Sequence, residues 1–137
     1  MDEHADIRRR WRQNWLNCIR DFADADGQRR GWLNPNNENP HWSYVEFMCS
    51  YFNDILQSQS YDWAVRQGFV TSDEAAAVAS MHRLLDLHQA PDGNDYDHAQ
   101  ILADPAWSVT VAEAVRAKDN LLTLLNDDEK RILLASI

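Results

Sequence analysis

Apolar residues in this chain recur at three- and four-residue intervals, and nowhere do β-branched residues alternate with polar ones over the length of a strand. Residues 6 to 23 set Ile7, Trp11, Trp15, Cys18, Ile19 and Phe22 on one side of a helix. Asp2, Glu3 and Asp6 load its first turn with the negative charge that a helix N-terminus favours. Gly27 and Gly31 are expected to break it. They would open a long Asn/Pro-rich loop over about 27–42, held to the body by Trp32 and Trp42.

Ser43 and Glu46 have capping-box spacing, and the helix they start is expected to reach about Ser58. Its apolar arc is unusually wide. Tyr44, Val45, Phe47, Met48, Tyr51, Phe52, Ile55 and Leu56 leave only a narrow polar strip of Glu46, Ser50, Asn53 and Gln57, with Asp54 at the margin. Such a helix belongs at the centre of a bundle. A short helix from Tyr61 should stop at Gly68, and Thr71 with Glu74 forms a second capping box. The helix from there to about His88 would bury Ala75, Val78, Met81, His82 and Leu85. Asp104-Pro105 supplies an N-cap and a proline at the first helical position. The buried face that follows reads Trp107, Val111, Ala114, Val115, Lys118, Leu121, Leu122 and Leu125. A last helix opens at Asn126 and ends in Ile132, Leu133, Leu134 and Ile137. The pattern predicts an all-α single-domain bundle over residues 1–137, with five to seven helices around a central helix at about 44–58.

Composition agrees with long regular elements, since 137 residues hold only four glycines and four prolines. The apolar share of 45% is too rich for a disordered acidic tail. Six tryptophans are many for this length, and some would be expected to face a partner. Cys18 and Cys49 have no CxxC spacing and read as reduced, buried thiols. No window approaches the ~18 apolar residues of a membrane span, and Met1-Asp2-Glu3-His4 is unlike an export signal. The expectation is a cytoplasmic protein that does not engage a membrane.

Charge changes the picture most. After Gly31 the chain has sixteen acidic residues against six basic ones, whereas residues 1 to 31 hold seven arginines against six acids. Acid in such excess repels nucleic acid and steers encounter with a basic protein. The arginines at 8, 9, 10 and 12 read as a solvated helix face, with Arg8 and Arg12 flanking the apolar stripe and part of the face open to pairing with the acidic helices of the same molecule.

Chemistry-bearing clusters are few. Asp92, Asp95, Tyr96, Asp97 and His98 form the densest group of polar ligands. As a calcium loop starting at Asp92, it has Asp97 where the turn glycine belongs and Ala103 where the bidentate glutamate belongs. The same test fails around Asp24-Ala25-Asp26-Gly27, whose register would start at Phe22 and end at Leu33. No metal or other cofactor is expected. Residues 92 to 98 read instead as an acidic patch offered to a partner. His82 lies on an apolar stripe with Asp86 one turn later and is expected to hydrogen-bond it; with Lys118 the two could line an interior pocket. No nucleophile elbow, Walker loop or dinucleotide fingerprint is present.

The general profile, small, acidic, all-helical and tryptophan-containing, resembles that of bacterial immunity proteins and antitoxin-like inhibitors. The resemblance is one of type and carries over no residue. It implies a non-catalytic binding protein of the bacterial cytoplasm that neutralises a basic protein partner, and it leaves a homodimer open. The alternative is a small helical enzyme or ligand-binding bundle built on His82, Asp86 and Lys118.

Overall fold

The computed structural model describes residues 3–37 and 42–135. Asp2, the loop residues 38–41 and Ile137, all used above, lie outside them. Among the described residues there is no strand, and the fold is all-α. Eight α-helices follow in order: α1 (Glu3–Phe22), α2 (Ala25–Trp32), α3 (Tyr44–Cys49), α4 (Tyr61–Arg66), α5 (Ser72–Leu87), α6 (His98–Ala103), α7 (Pro105–Leu122) and α8 (Asp127–Leu134). A π turn (Ser50–Ile55) continues α3, and a 3-10 turn (Pro91–Gly93) precedes α6. The described helices outnumber the five to seven expected, because α2 and α6 are additional, and the expected helix at 44–58 gives way to the π turn after Cys49.

Two of the extra breaks have local causes. Gly27 and Gly31 lie inside α2 and do not end α1. Asp24 caps α2 by accepting the Gly27 N–H at 2.9 Å, and a Cβ on Gly27 would stand 2.3 Å from that carboxylate. A Cβ on Gly31 would meet the Trp42 ring at 2.9 Å. Both glycines therefore serve close approach to a helix, and the loop begins only after Trp32. Gln28, fully buried, joins the pieces. Its Nε2 donates to Asp21 O and Phe22 O at the end of α1, while its Oε1 accepts the Trp107 Nε1–H at 3.0 Å.

The second break explains the wide apolar arc. In a continuous α-helix Leu56 would lie roughly 140° round from Tyr51. The π turn, in which Leu56 N–H donates to Tyr51 O, is wider by one residue per hydrogen bond. It brings Tyr51, Ile55 and Leu56 into the core together. The helix ends there, and Gln57 and Ser58 take positive φ of 51° and 60°. Phe52, placed on the apolar arc, is only half-buried. Trp11 Nε1–H donates to Ile55 O at 2.8 Å and fastens the turn to α1.

The most extensive helix pair is α5 with α7. Val78, Met81 and Leu85 of α5 are buried, as are Trp107, Thr110, Val111, Ala114, Ala117 and Leu121 of α7. Val115, assigned to that face by periodicity, is 40% exposed. It lies about 100° round from Ala114, beyond the covered stripe. Ile7 is 53% exposed because burial on α1 starts only at Trp11.

Arg12 is the arginine of that face that pairs with acidic helices of the same molecule, and it does so buried, at 3% exposure, rather than at the edge of the stripe. Its Nη1 and Nη2 donate to Glu74 at 2.8 and 2.6 Å, its Nε to Glu129 at 2.6 Å, and Nη1 also to Phe69 O at 2.9 Å. One guanidinium thus ties α1 to α5 and α8. Burial by itself would raise the Glu74 carboxyl, but Arg12 and the Thr71 N–H hold it below the usual carboxylate range.

Candidate functional site

Two grooves run along α3 and the π turn. The first, of about 480 Å³, lies against α1. Phe22, Phe47 and Ile55 supply apolar wall, while Asn14, Asn17, Asp21, Ser50 and Asp54 supply polar groups. The second, of about 400 Å³, lies between α3 and the segment 88–95, and Tyr44, Val45, Met48, His88 and Asp95 line it. Neither lining contains a lysine or an arginine. Arg20 reaches Asp21 at 3.4 Å from outside the first groove.

The electrostatics of the first groove follow from that composition. Burial pushes the Asp21 carboxyl up to about 6; Arg20 offsets part of the effect and Asp24 adds to it. The same cause pushes the Cys18 thiol up to about 12, with Asp21 and Asp54 reinforcing it. A thiol so held stays protonated and is no nucleophile. The groove therefore offers carboxylates and amides, and an anion that lacks a full counter-charge.

In the second groove Tyr44, His88 and Asp104 form a chain. His88, buried between them, places Nε2 3.1 Å from Asp104 Oδ2 and Nδ1 2.8 Å from Tyr44 Oη. With the carboxylate accepting at Nε2–H, Nδ1 accepts the phenol's proton, a tautomer assigned from hydrogen-bond accounting. Burial, then Asp95 and Asp104, push the Tyr44 phenol up to about 12. The phenol therefore keeps its proton, and the chain links Tyr44 and His88 to α7, whose N-cap is the same Asp104.

The sequence-derived candidates are divided by the structure. Asp92, Asp95 and Tyr96 are exposed, Tyr96 at 77%. Asp97 is the N-cap of α6, accepting the Gln100 N–H at 3.2 Å. His98 is half-buried; its Nε2 accepts the Tyr44 N–H at 3.3 Å and its ring lies 5.2 Å from that of Trp32. Asp97 and His98 are thus engaged in local hydrogen bonds, and of the five only Asp95 lines either groove.

His82, Asp86 and Lys118 are not joined by any hydrogen bond or ion pair among the described residues. The expected His82–Asp86 bond is not among the hydrogen bonds of the described residues; His82 Nδ1 is instead met by Tyr51 Oη at 2.9 Å. Asp86 is exposed, and Lys118 lines a separate groove with Arg20, Arg30, Asp24 and Asp26. None of the six tryptophans is exposed, so Tyr96 is the large aromatic left at the surface.

Sequence reading passed over Asn14, Asn17 and Asp21 as polar positions of α1. Their signal was weak, since a polar side of a helix looks alike whether it faces solvent or a groove. Among the described residues no three His, Cys, Asp or Glu side chains converge to hold a metal ion, and no helix is long and apolar enough to cross a membrane. Compared with the models of known families, with curated proteins and with solved structures, the chain matches none of them.

Proposed function

We propose that this protein is a non-catalytic binding protein for a basic protein partner, and that it docks through the face formed by α3 and the π turn. The observation that carries the reading is how differently the carboxylates are used. Asp26, Glu113, Asp127 and Asp128 each pair with a cation three residues along their own helix, and Glu74 and Glu129 share Arg12. Asp54 and Asp95 are exposed with no such partner among the described residues and, unlike the equally unpaired Asp73 and Asp119, stand at the two grooves. Asp21, destabilised as an anion, would gain from a cation brought into the first groove. A lysine or arginine side chain suits it, with its stem along Phe22, Phe47 and Ile55. The exposed ring of Tyr96 adds an aromatic contact close to the second groove.

Long-range attraction to such a face speeds association and weakens as salt screens it. Duplex DNA and RNA, bound mainly through Lys and Arg at phosphates, would be repelled. The test is a titration with an arginine-rich peptide followed residue by residue by NMR. The reading expects the largest shifts at residues 46–54 and 93–96, and no binding of duplex DNA at physiological salt. Shifts centred elsewhere, or tight DNA binding, would remove it.

A further inference from the structure

Behind the π turn a chain of four side chains crosses the core. Trp15 Nε1 lies 2.9 Å from Tyr61 Oη, Tyr61 Oη 2.8 Å from Tyr51 Oη, and Tyr51 Oη 2.9 Å from His82 Nδ1. The first three residues are buried, so water is no substitute partner for their polar atoms. An indole N–H can only donate. If Tyr61 accepts from Trp15, its own proton goes to Tyr51, and the Tyr51 proton goes to His82. That order alone gives every proton an acceptor. It requires a neutral His82 with Nδ1 bare and the proton on Nε2.

We propose that this one-way chain makes His82 a proton-operated latch on the π turn: when Nδ1 is protonated it can no longer accept, a phenol proton in the core loses its partner, and residues 50–56 loosen. The geometry directs the effect to that segment because Tyr51 is the only member of the chain on it. Leu56 N–H hangs on the Tyr51 carbonyl at 3.1 Å, so a displaced Tyr51 disturbs the bond that defines the turn. The groups facing the imidazole are Tyr51 and Phe52 of the turn, the edge of the Tyr61 ring from α4, and Asp86 on its own helix. From α1, Cys18 stands near the two phenols, and both phenols stay protonated. Burial holds the imidazole below its ordinary range, and Asp86 opposes this only in part. The latch concerns the π turn itself and does not depend on what docks there.

The decisive experiment reads the His82 tautomer by imidazole 15N shifts, and amide exchange at residues 51–56, between pH 7.5 and 5.5 on the whole protein. At pH 7.5 Nδ1 should carry the shift of an unprotonated nitrogen. On acidification the 51–56 amides should lose protection beyond the intrinsic change of exchange chemistry, while α7 keeps its own. In Tyr51→Phe, the acid-dependent loss should vanish and His82 should titrate closer to an ordinary histidine. A protonated Nδ1 at pH 7.5 would overturn the proposal, as would protection at 51–56 that follows α7 throughout. Should Tyr51→Phe not fold, the wild-type tautomer and exchange profile still decide the matter.

Discussion

Arg12 with Glu74 and Glu129, set beside Asp21, Asp54 and Asp95, puts acidic side chains to two opposite uses in one small molecule. At the α1–α5–α8 junction each carboxylate has a guanidinium within 2.6 Å and little access to water. Beside α3 and the π turn, Asp54 and Asp95 stand exposed at the edges of grooves whose linings contain no lysine or arginine, and among the described residues Asp21 is met only by Arg20 at 3.4 Å from outside the groove. The first arrangement holds helices together; the second leaves charge available. A net charge of −9 is therefore a poor guide to function until its members are sorted by what they touch.

The strongest way to break the contrast is at the junction. Arg12→Ala strands two carboxylates where water reaches them poorly, and chemical denaturation should show a loss of about 3–5 kcal/mol. A loss under about 1 kcal/mol would mean the junction is ornamental to stability. The Glu74 carboxylate also contributes to the acid limit. With the Glu74 carboxyl held below its unfolded value, its contribution is fully present above about pH 4.5 and disappears as pH falls through the folded value.

Smaller and opposite in sign is the effect of Asp21. Its folded carboxyl, near 6, keeps a proton that the unfolded chain has released. Stability from this group therefore declines as pH rises from about 4 through 6. Asp21→Asn should gain on the wild type across that window, and a flat difference between the two denaturation curves would contradict the account. Protonation of His82 acts the other way as pH falls, so the comparison must be made between variants at each pH.

Asp97→Ala tests whether that residue belongs with the structural group; losing the α6 cap should cost about 1 kcal/mol in a thermal melt. An unchanged melt would return Asp97 to the open group. Least of all, Asp54→Asn and Asp95→Asn should leave stability within about 0.5 kcal/mol while weakening capture of a basic peptide. A larger stability loss would show that these side chains are held by something structural.

What could be read in the sequence follows the range of each interaction. Ser43, Thr71 and Asp104 were legible as caps because donor and acceptor lie within three residues of each other. The Tyr44–Leu56 stretch carried its own warning: an apolar arc too wide for one α-helical face is what a π turn folds inward. Gly27 and Gly31 misled because their reason, a capping carboxylate and a tryptophan ring packed against them, lies outside the helix pattern. Arg12 looked solvated because its partners stand 62 and 117 residues away. The grooves were invisible for the same reason, since Asp21 and Asp54 meet only across two helices.

The central claim is that the position of the open carboxylates, rather than their number, governs binding, and one measurement addresses it directly. Asp54→Asn/Asp95→Asn and Asp73→Asn/Asp119→Asn remove the same charge, the second pair from exposed positions on α5 and α7. Both doubles and the wild type are titrated with the same arginine-rich peptide by calorimetry at one ionic strength. A marked loss of affinity is expected in the first double and wild-type affinity in the second. Equal losses in both doubles, or none in either, would contradict it.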